Sequence, residues 1–264
     1  MNLLNFPTSI ADRFIILDVE YLADLQLYDR YRRADPRPAS CRWPFRRVVS
    51  ASVMAVKIVD RVWEVEDFRS FIGPDERDLV RKLFDWMIER PAHRLATFSG
   101  AAEDLPILKT GAMELGFTLP RQLRHNERDR LGFLHMDLAL VLKAGAGQFV
   151  HMSELATRLG LPCKIAGSAG QVPYRIAEGE YEKVAWISEV DTLTTALLLA
   201  SHLTTLGQVV NVQAAHYVTM RYVRERAGGA EGAEVASYHR ELGNYLAKAE
   251  REMIAEQRRW LEAG

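Results

Sequence analysis

Residues 13–20, Arg-Phe-Ile-Ile-Leu-Asp-Val-Glu, constrain the fold of this chain most. Phe14, Ile15, Ile16 and Leu17 form an unbroken apolar run, the pattern of a strand covered on both faces. A strand of that kind requires a sheet with helices above and below it. The run ends in two acids spaced two apart, so Asp18 and Glu20 project from one face near the strand's end. Neighbouring carboxylates repel, and a hard cation such as Mg²⁺ or Mn²⁺ relieves the repulsion through oxygen ligands. The pair alone reads more readily as a solvated acidic strand end, so a metal site needs further acids from elsewhere in the chain.

The remaining sequence supplies the partners of this strand. Tyr28–Arg47 interleaves Arg30, Arg32, Arg33, Arg37, Arg42, Arg46 and Arg47 with Tyr31, Trp43 and Phe45. It shows no periodicity, which predicts an exposed loop that either holds phosphate and stacks bases or is simply solvated. Val48–Val59 and Val62–Ile72 predict a hairpin around Asp60-Arg61. Leu79, Leu83, Phe84, Met87 and Ile88 recur at helical spacing and mark a helix to about Glu89. A short strand follows at Arg94–Phe98, broken by Ser99-Gly100, then a helix from Asp104 to Leu115 that stops at Gly116. Leu131–Met136 is the expected last strand, Asp137 the cap of a helix Leu138–Lys143, and Ser153 the cap of a helix to Leu159, with Ala144–Gly147 between the two. A long apolar helix spans Tyr181–Leu206, and a further helix spans Val209–Arg226. Gly228–Gly232 reads as a joint before a charged helix Val235–Leu261, whose stripe is Leu242, Leu246, Ala249, Met253 and Trp260. The succession of strands and helices argues for an α/β fold, a mixed sheet with flanking helices and a C-terminal helical extension.

Composition narrows the function classes. With 264 residues, 48% of them hydrophobic, the chain fills the core of one large domain and is not disordered. Lys and Arg number 34 against 35 Asp and Glu, a net charge of −1, so no global field draws the chain to a polyanion and any such ligand is gripped locally. Cys41 and Cys163 form no zinc-type spacing and no disulfide framework, which points to a reducing, cytoplasmic setting. No apolar run approaches the roughly 18 residues of a membrane span, and Met1–Asp12 lacks a basic start with a long apolar stretch, so no membrane partner and no export are expected. Gly145-Ala146-Gly147 lacks the dinucleotide fingerprint, and Gly160–Lys164 lacks the spacing and the Ser or Thr of a phosphate loop, so ATP is not implied.

Two further acids stand out. Asp104 opens a helix, where a carboxylate is favoured by the macrodipole. Asp191 sits within the apolar stretch Val190–Leu199, where an unpaired, desolvated acid costs several kcal/mol, so it must face a partner, water or a metal.

The order of these segments, ILDVE, SGAAEDLPIL, HMDLALVL, LGLPCK and EVDTLTTALLL, resembles the DEDD 3′–5′ exonucleases. It is most similar to the predicted exonuclease family related to the proofreading domain of family-B DNA polymerases. The similarity runs over about Asp12–Gly207. It implies a ribonuclease-H-like exonuclease domain over residues 1–207, with 208–264 as the helical extension. Asp18, Glu20, Asp104 and Asp191 then occupy the positions of the four catalytic, metal-binding acids, holding two Mg²⁺ or Mn²⁺ ions about 3.5–4 Å apart. Asp18 would bridge the ions, Glu20 and Asp191 would complete the shells, and Asp104 would act through a water. The implied activity is removal of nucleotides from the 3′ end of single-stranded DNA or RNA. Such enzymes place a Tyr four residues, or a His five residues, before the last Asp to orient the attacking water, whereas here those slots hold Ile187 and Trp186. Tyr181, His151 and Glu189 are the available substitutes. Ser99-Gly100 replaces the usual Asn-Gly, and Glu103 replaces the usual aromatic before Asp104. His135 and Asp137 match a family segment, though Asp137 also serves as a helix cap. These departures keep open a second expectation, a catalytically weak or inactive nucleic-acid-binding protein on the same fold.

Overall fold

The computed structural model describes residues 13–35, 40–124, 134–145, 147–226 and 233–263. Its centre is the strand β1 (Arg13–Ala23). On one side β2 (Arg46–Val59) pairs antiparallel with β1, and β3 (Val62–Ile72) pairs antiparallel with β2. On the other side β4 (Arg94–Thr97) runs parallel to β1, and β5 (His135–Asp137) runs parallel to β4, giving the order β3-β2-β1-β4-β5. The expected hairpin closes with Asp60 and Arg61 both at left-handed φ, 50° and 66°. That is the primed turn whose twist matches the strands, built here without glycine.

Alternation along β1 assigns each residue to a layer. Phe14 and Ile16 join Met54 and Val56 beneath the long helix α7 (Tyr181–Thr205). Ile15, Leu17 and Val19 face the opposite way, against α2 (Glu76–Ile88) and α3 (Asp104–Leu115). Asp18 and Glu20 continue the row of Phe14 and Ile16, so both carboxylates lie on the α7 side. A bulge beside the acids leaves Val49 as an extra residue of β2, since Glu20 pairs with Ser50 and Tyr21 with Val48.

Four expectations are corrected. Among the described residues Tyr28–Arg47 is only partly a loop: Leu25–Ala34 form a helix, α1, capped by Asp24, which accepts from Leu27 N at 2.8 Å, residues 40–42 are irregular, and a short turn at Trp43–Phe45 leads into β2, while 36–39 fall outside the described residues. No residue of α1 is fully buried; its stripe of Leu27, Tyr28 and Tyr31 is short and half-buried, and the helix starts on a side-chain cap and ends with Arg32 and Arg33 favourably placed against the dipole. The last strand lies at His135–Asp137, and 125–133 fall outside the described residues. Asp137 caps α4 (Leu138–Lys143) as expected, but α5 (Met152–Leu159) is capped by His151 rather than Ser153, with Glu154 accepting from His151 N. A short helix α6 (Val172–Ala177) precedes α7, and the helix expected from Val209 begins at Val212.

Among the described residues α7 alone is long and apolar enough to cross a membrane, yet 83% of its apolar window is buried inside the fold. It is the core helix, apolar on all sides because the sheet and the C-terminal helices cover it. Residues of α8 (Val212–Arg226) and α9 (Ala233–Ala263), among them Met220, Val223, Tyr238, Leu242 and Leu246, belong to the same apolar cluster as Leu193 and Leu197. The glycine joint at Gly228–Gly232 and the side chain of Trp260 lie outside the described residues.

Candidate active site

Hydroxyl groups set α7 on the sheet. Ser188 Oγ lies 2.9 Å from both Ser50 Oγ and Ser52 Oγ, and Thr192 Oγ1 donates to Ser52 O at 3.1 Å. Ser52 and Ser50 are the cross-strand partners of Asp18 and Glu20, so these bonds hold Asp191 over the two acids. Ligand oxygens of Asp18, Glu20 and Asp191 all lie within 4.8 Å of one another. Asp104, the first residue of α3, is buried and near enough for its charge to act on Asp18, and Glu20 and Asp191 act on it in turn, but it is not among the three acids in mutual reach.

The electrostatics of the cluster are unfavourable by themselves. Burial, then Asp191, Glu20 and Asp104, hold the Asp18 carboxyl well above the ordinary carboxylate range. Burial and Asp191 raise Glu20 to about 8. Asp104 is pushed well up by burial, then by Glu20, Glu103, Asp137 and Asp191, and burial raises Asp191. Asp18 Oδ2 and Asp191 Oδ1 are enclosed by protein and accept no hydrogen bond. Two orphaned anionic oxygens within an all-oxygen donor set fit a hard divalent cation.

One cation of the chain does enter the cluster. Lys164 Nζ donates to Asp191 Oδ2. Burial alone would lower its pKa, but Asp191, Asp18 and Glu20 outweigh this and raise it. The lysine sits at left-handed φ of 56°, in a turn tied to α7 by Thr194 Oγ1 donating to Pro162 O at 2.7 Å. Lys164 is not among the sequence-predicted site residues: Gly160–Lys164 lacks the features of a phosphate loop, and its place in the LGLPCK segment assigns the lysine no role. The usable signal was the requirement that Asp191 find a partner.

Asp137 does more than cap α4. Its carboxylate accepts from Ala139 N at 3.0 Å, Ser99 N at 2.9 Å and Ala101 N at 3.0 Å, pinning the Ser99-Gly100 loop that leads to Asp104. Gly100 is required there, since a Cβ would meet the Thr97 side chain at 2.7 Å. Where the resembled family has an aromatic, Glu103 accepts from Tyr21 Oη and, at 2.5 Å, from Arg46, whose guanidinium lies 4.4 Å from the Tyr21 ring centroid. Arg47 is likewise committed, to Asp24, Glu76 and Glu114. Arg46 and Arg47 are therefore internal struts, and Phe45 packs on Tyr28 and Tyr31. Arg37 lies outside the described residues.

The helper slots are filled by packing. Ile187 is 1% exposed among Val49, Val172 and Val184, and the Trp186 ring stacks 6.3 Å from that of Tyr238 on α9. Of the three substitutes, Glu189 is turned to Ser70, which donates to it at 2.5 Å, and His151 is exposed at the cap of α5. Tyr181 opens α7, ten residues before Asp191.

A family model described as a predicted 3′–5′ exonuclease related to the exonuclease domain of PolB matches residues 40–241. The chain belongs to this family. The matched residues include Asp104 and Asp191, while Asp18 and Glu20 precede them. No curated protein matches the sequence. Among solved structures, the family B DNA polymerase of the hyperthermophilic archaeon Pyrobaculum calidifontis is similar with a TM-score of 0.53 and 17% identity, over 82% of this chain and 29% of that one. The chain thus spans under a third of the polymerase's length, and what the two share is the fold, a ribonuclease-H-like mixed sheet with flanking helices.

Proposed function

We propose that the chain removes nucleotides from the 3′ end of single-stranded DNA or RNA, with two Mg²⁺ or Mn²⁺ ions held by Asp18, Glu20, Asp104 and Asp191. The observation that carries this reading is the convergence of Asp18, Glu20 and Asp191, whose ligand oxygens lie within 4.8 Å of one another, with one enclosed oxygen each of Asp18 and Asp191 left unpartnered. Like charges are gathered in this way at a steep electrostatic cost, which a bound cation offsets. Asp18 is the carboxylate that feels all three others, so it is the natural ligand shared between two ions. Glu20 and Asp191 flank it and Asp104 stands outermost. Such ions, when bound, make water more acidic and offset charge on the leaving 3′ oxygen of a phosphodiester.

The chain's own groups do the rest. Lys164 orients Asp191 and offsets part of the negative charge. Asp137 fixes the loop that carries Asp104. Neither Ile187 nor Trp186 can accept a proton, and both are locked in apolar or aromatic contacts, so no side chain in the usual slot orients the attacking water. That observation favours a second reading, in which the same surface binds nucleic acid with slow or absent turnover.

The test is mononucleotide release from 5′-labelled single-stranded DNA and RNA, with Mn²⁺, with Mg²⁺ and with chelator. Asp18→Asn should abolish release while leaving the fold intact, because an uncharged amide is a poorer ligand. Full turnover by Asp18→Asn, or by wild type in chelator, would refute the metal mechanism. Absence of wild-type turnover with metal bound would favour the binding protein.

A further inference from the structure

We propose that α1 and the turn packed against it form the landing surface for the phosphate backbone of a single strand, with Arg30, Arg32 and Arg33 on phosphates and Trp43 stacked on a base. The identity of the ligand rests on the exonuclease reading above. The placement of the surface rests on geometry that the family match, confined to residues 40–241, does not cover for α1.

The first argument is position. α1 begins five residues after Glu20, at the end of the strand that carries the acids. Asp24 N donates to Phe45 O at 2.7 Å, and the Phe45 ring lies 5.3 Å from Tyr28 and 5.1 Å from Tyr31. The next residue, Arg46, reaches Glu103 at 2.5 Å, directly beside Asp104. A continuous packed surface therefore runs from α1 through Phe45 and Arg46 to the rim of the carboxylate cluster.

The second argument is charge. The cluster itself repels a polyanion, and the chain as a whole carries a net charge of −1, so a strand must be held by a local cationic patch. Arg46 and Arg47 cannot serve, being engaged with Glu103, Asp24, Glu76 and Glu114. Arg30, Arg32 and Arg33 are exposed on α1, have no acidic partner among the described residues, and share the helix with a single acid, Asp29. Arg32 and Arg33 also favour the helix dipole, but Arg30 lies outside the last turn and gains nothing from it. Arg30 and Arg33, one helical turn apart, share a face of α1, and Arg32 lies about 100° round from Arg33.

The third argument is the indole of Trp43, 39% exposed in the turn that packs on α1. An exposed aromatic ring in a turn packed on an arginine-bearing helix is the combination of stacking and charge that binds single strands without regard to sequence.

The test uses the Asp18→Asn chain in chelator, so that the strand persists, and follows the anisotropy of a fluorescein-labelled oligothymidylate from 50 to 200 mM salt. Each single-strand phosphate contact contributes a slope of about −0.7 in log K against log salt, so replacing Arg30, Arg32 and Arg33 together by Gln should make the slope shallower by about 2. Trp43→Ala should weaken binding by roughly five- to hundredfold with the slope unchanged. Gln keeps the helix propensity of Arg, so far-UV dichroism should not move. An unaltered slope and affinity in the triple variant overturns the proposal, as does the absence of any binding at 50 mM salt. Nucleotide release by wild type is scored separately: arginine-dependent binding without release sustains the landing surface and sinks hydrolysis, whereas release with arginine-independent binding does the reverse.

Discussion

Raising the pH of the protein in chelator from 7 to 9 should destabilise it, and adding Mn²⁺ should reverse the loss. Glu20 is held at about 8 against an ordinary 4.5, by burial and then by Asp191. The unfolded chain has already lost this proton at pH 7 while the folded chain largely retains it. Stability that is full below the unfolded value is thus lost as pH climbs through the folded one. Between pH 7 and 9 this one group removes about 1.4 kcal/mol, or about 3–6 °C of melting temperature for a domain of this size. Asp18 and Asp104 are raised too and act in the same direction. Lys164 is raised from 10.5, so its contribution persists through the window. His93, His202 and His216 are lowered by burial, the last to about 4, and their opposing gain is nearly complete by pH 7, which is why the window starts there. A cation binds the deprotonated carboxylates, and at a hundred times its dissociation constant it contributes about 2.7 kcal/mol. The assay is a melting curve at each pH, with EDTA or Mn²⁺, on wild type and Glu20→Gln. Wild type should fall in EDTA, Glu20→Gln should fall less, and the Mn²⁺ gain should be larger at pH 9. A wild-type melting temperature that is flat or rising in EDTA, or equal Mn²⁺ gains at both ends, would refute the reasoning.

Three substitutions probe the surroundings of the cluster. Ile187→Tyr forces a phenol among Val49, Val172 and Val184, so it should cost about 1–3 kcal/mol and give no rate increase; a stable variant with faster nucleotide release would show that the slot opens to the site. Lys164→Met leaves Asp191 without its cation, so the melting temperature in EDTA should drop and the Mn²⁺-induced gain should grow; an unchanged metal response counts against the lysine as a counter-charge. Asp137→Ala strips the acceptor from three backbone N–H groups and should cost about 3 kcal/mol with a loss of activity that Asp137→Asn partly restores, measured by melting and by nucleotide release.

The elements most legible in the sequence are those whose pattern and burial agree. The run Phe14–Leu17 needed cover on both faces and has it, and the stripe of α2 faces the core as its spacing requires. α3 ends where Gly116 takes left-handed φ of 72°, a cost that glycine avoids. α1 was missed although Leu27, Tyr28 and Tyr31 recur at helical spacing and Asp24 caps it, because the stripe is short and its aromatic residues lie among the arginines and prolines of a segment that reads as a loop. The gathering of Asp18, Glu20, Asp104 and Asp191 followed from the order of segments, a long-range property that no local spacing contains. Lys164 stayed hidden because it acts through a turn conformation and a partner 27 residues away.

Packing at the helper slot held by Ile187 bears on that lysine. Ile187 Cδ1 lies 3.5 Å from the point where a Cβ on Gly167 would stand, and Gly167, at φ of 121°, closes its turn by donating to Lys164 O at 3.2 Å. The Ile187 side chain therefore packs on the turn that begins at Lys164, one helical turn before the acid to which that lysine is bound. A Tyr at 187 would need the volume that the turn now occupies, so a proton-handling group at this slot and a lysine fixed against Asp191 compete for the same space. The chain holds the lysine, whose charge acts on the ground-state repulsion of the cluster instead of on the proton of an attacking water. Truncation to Ile187→Ala should consequently loosen the Lys164 turn and weaken the hold on Asp191, although residue 187 carries no polar atom of its own.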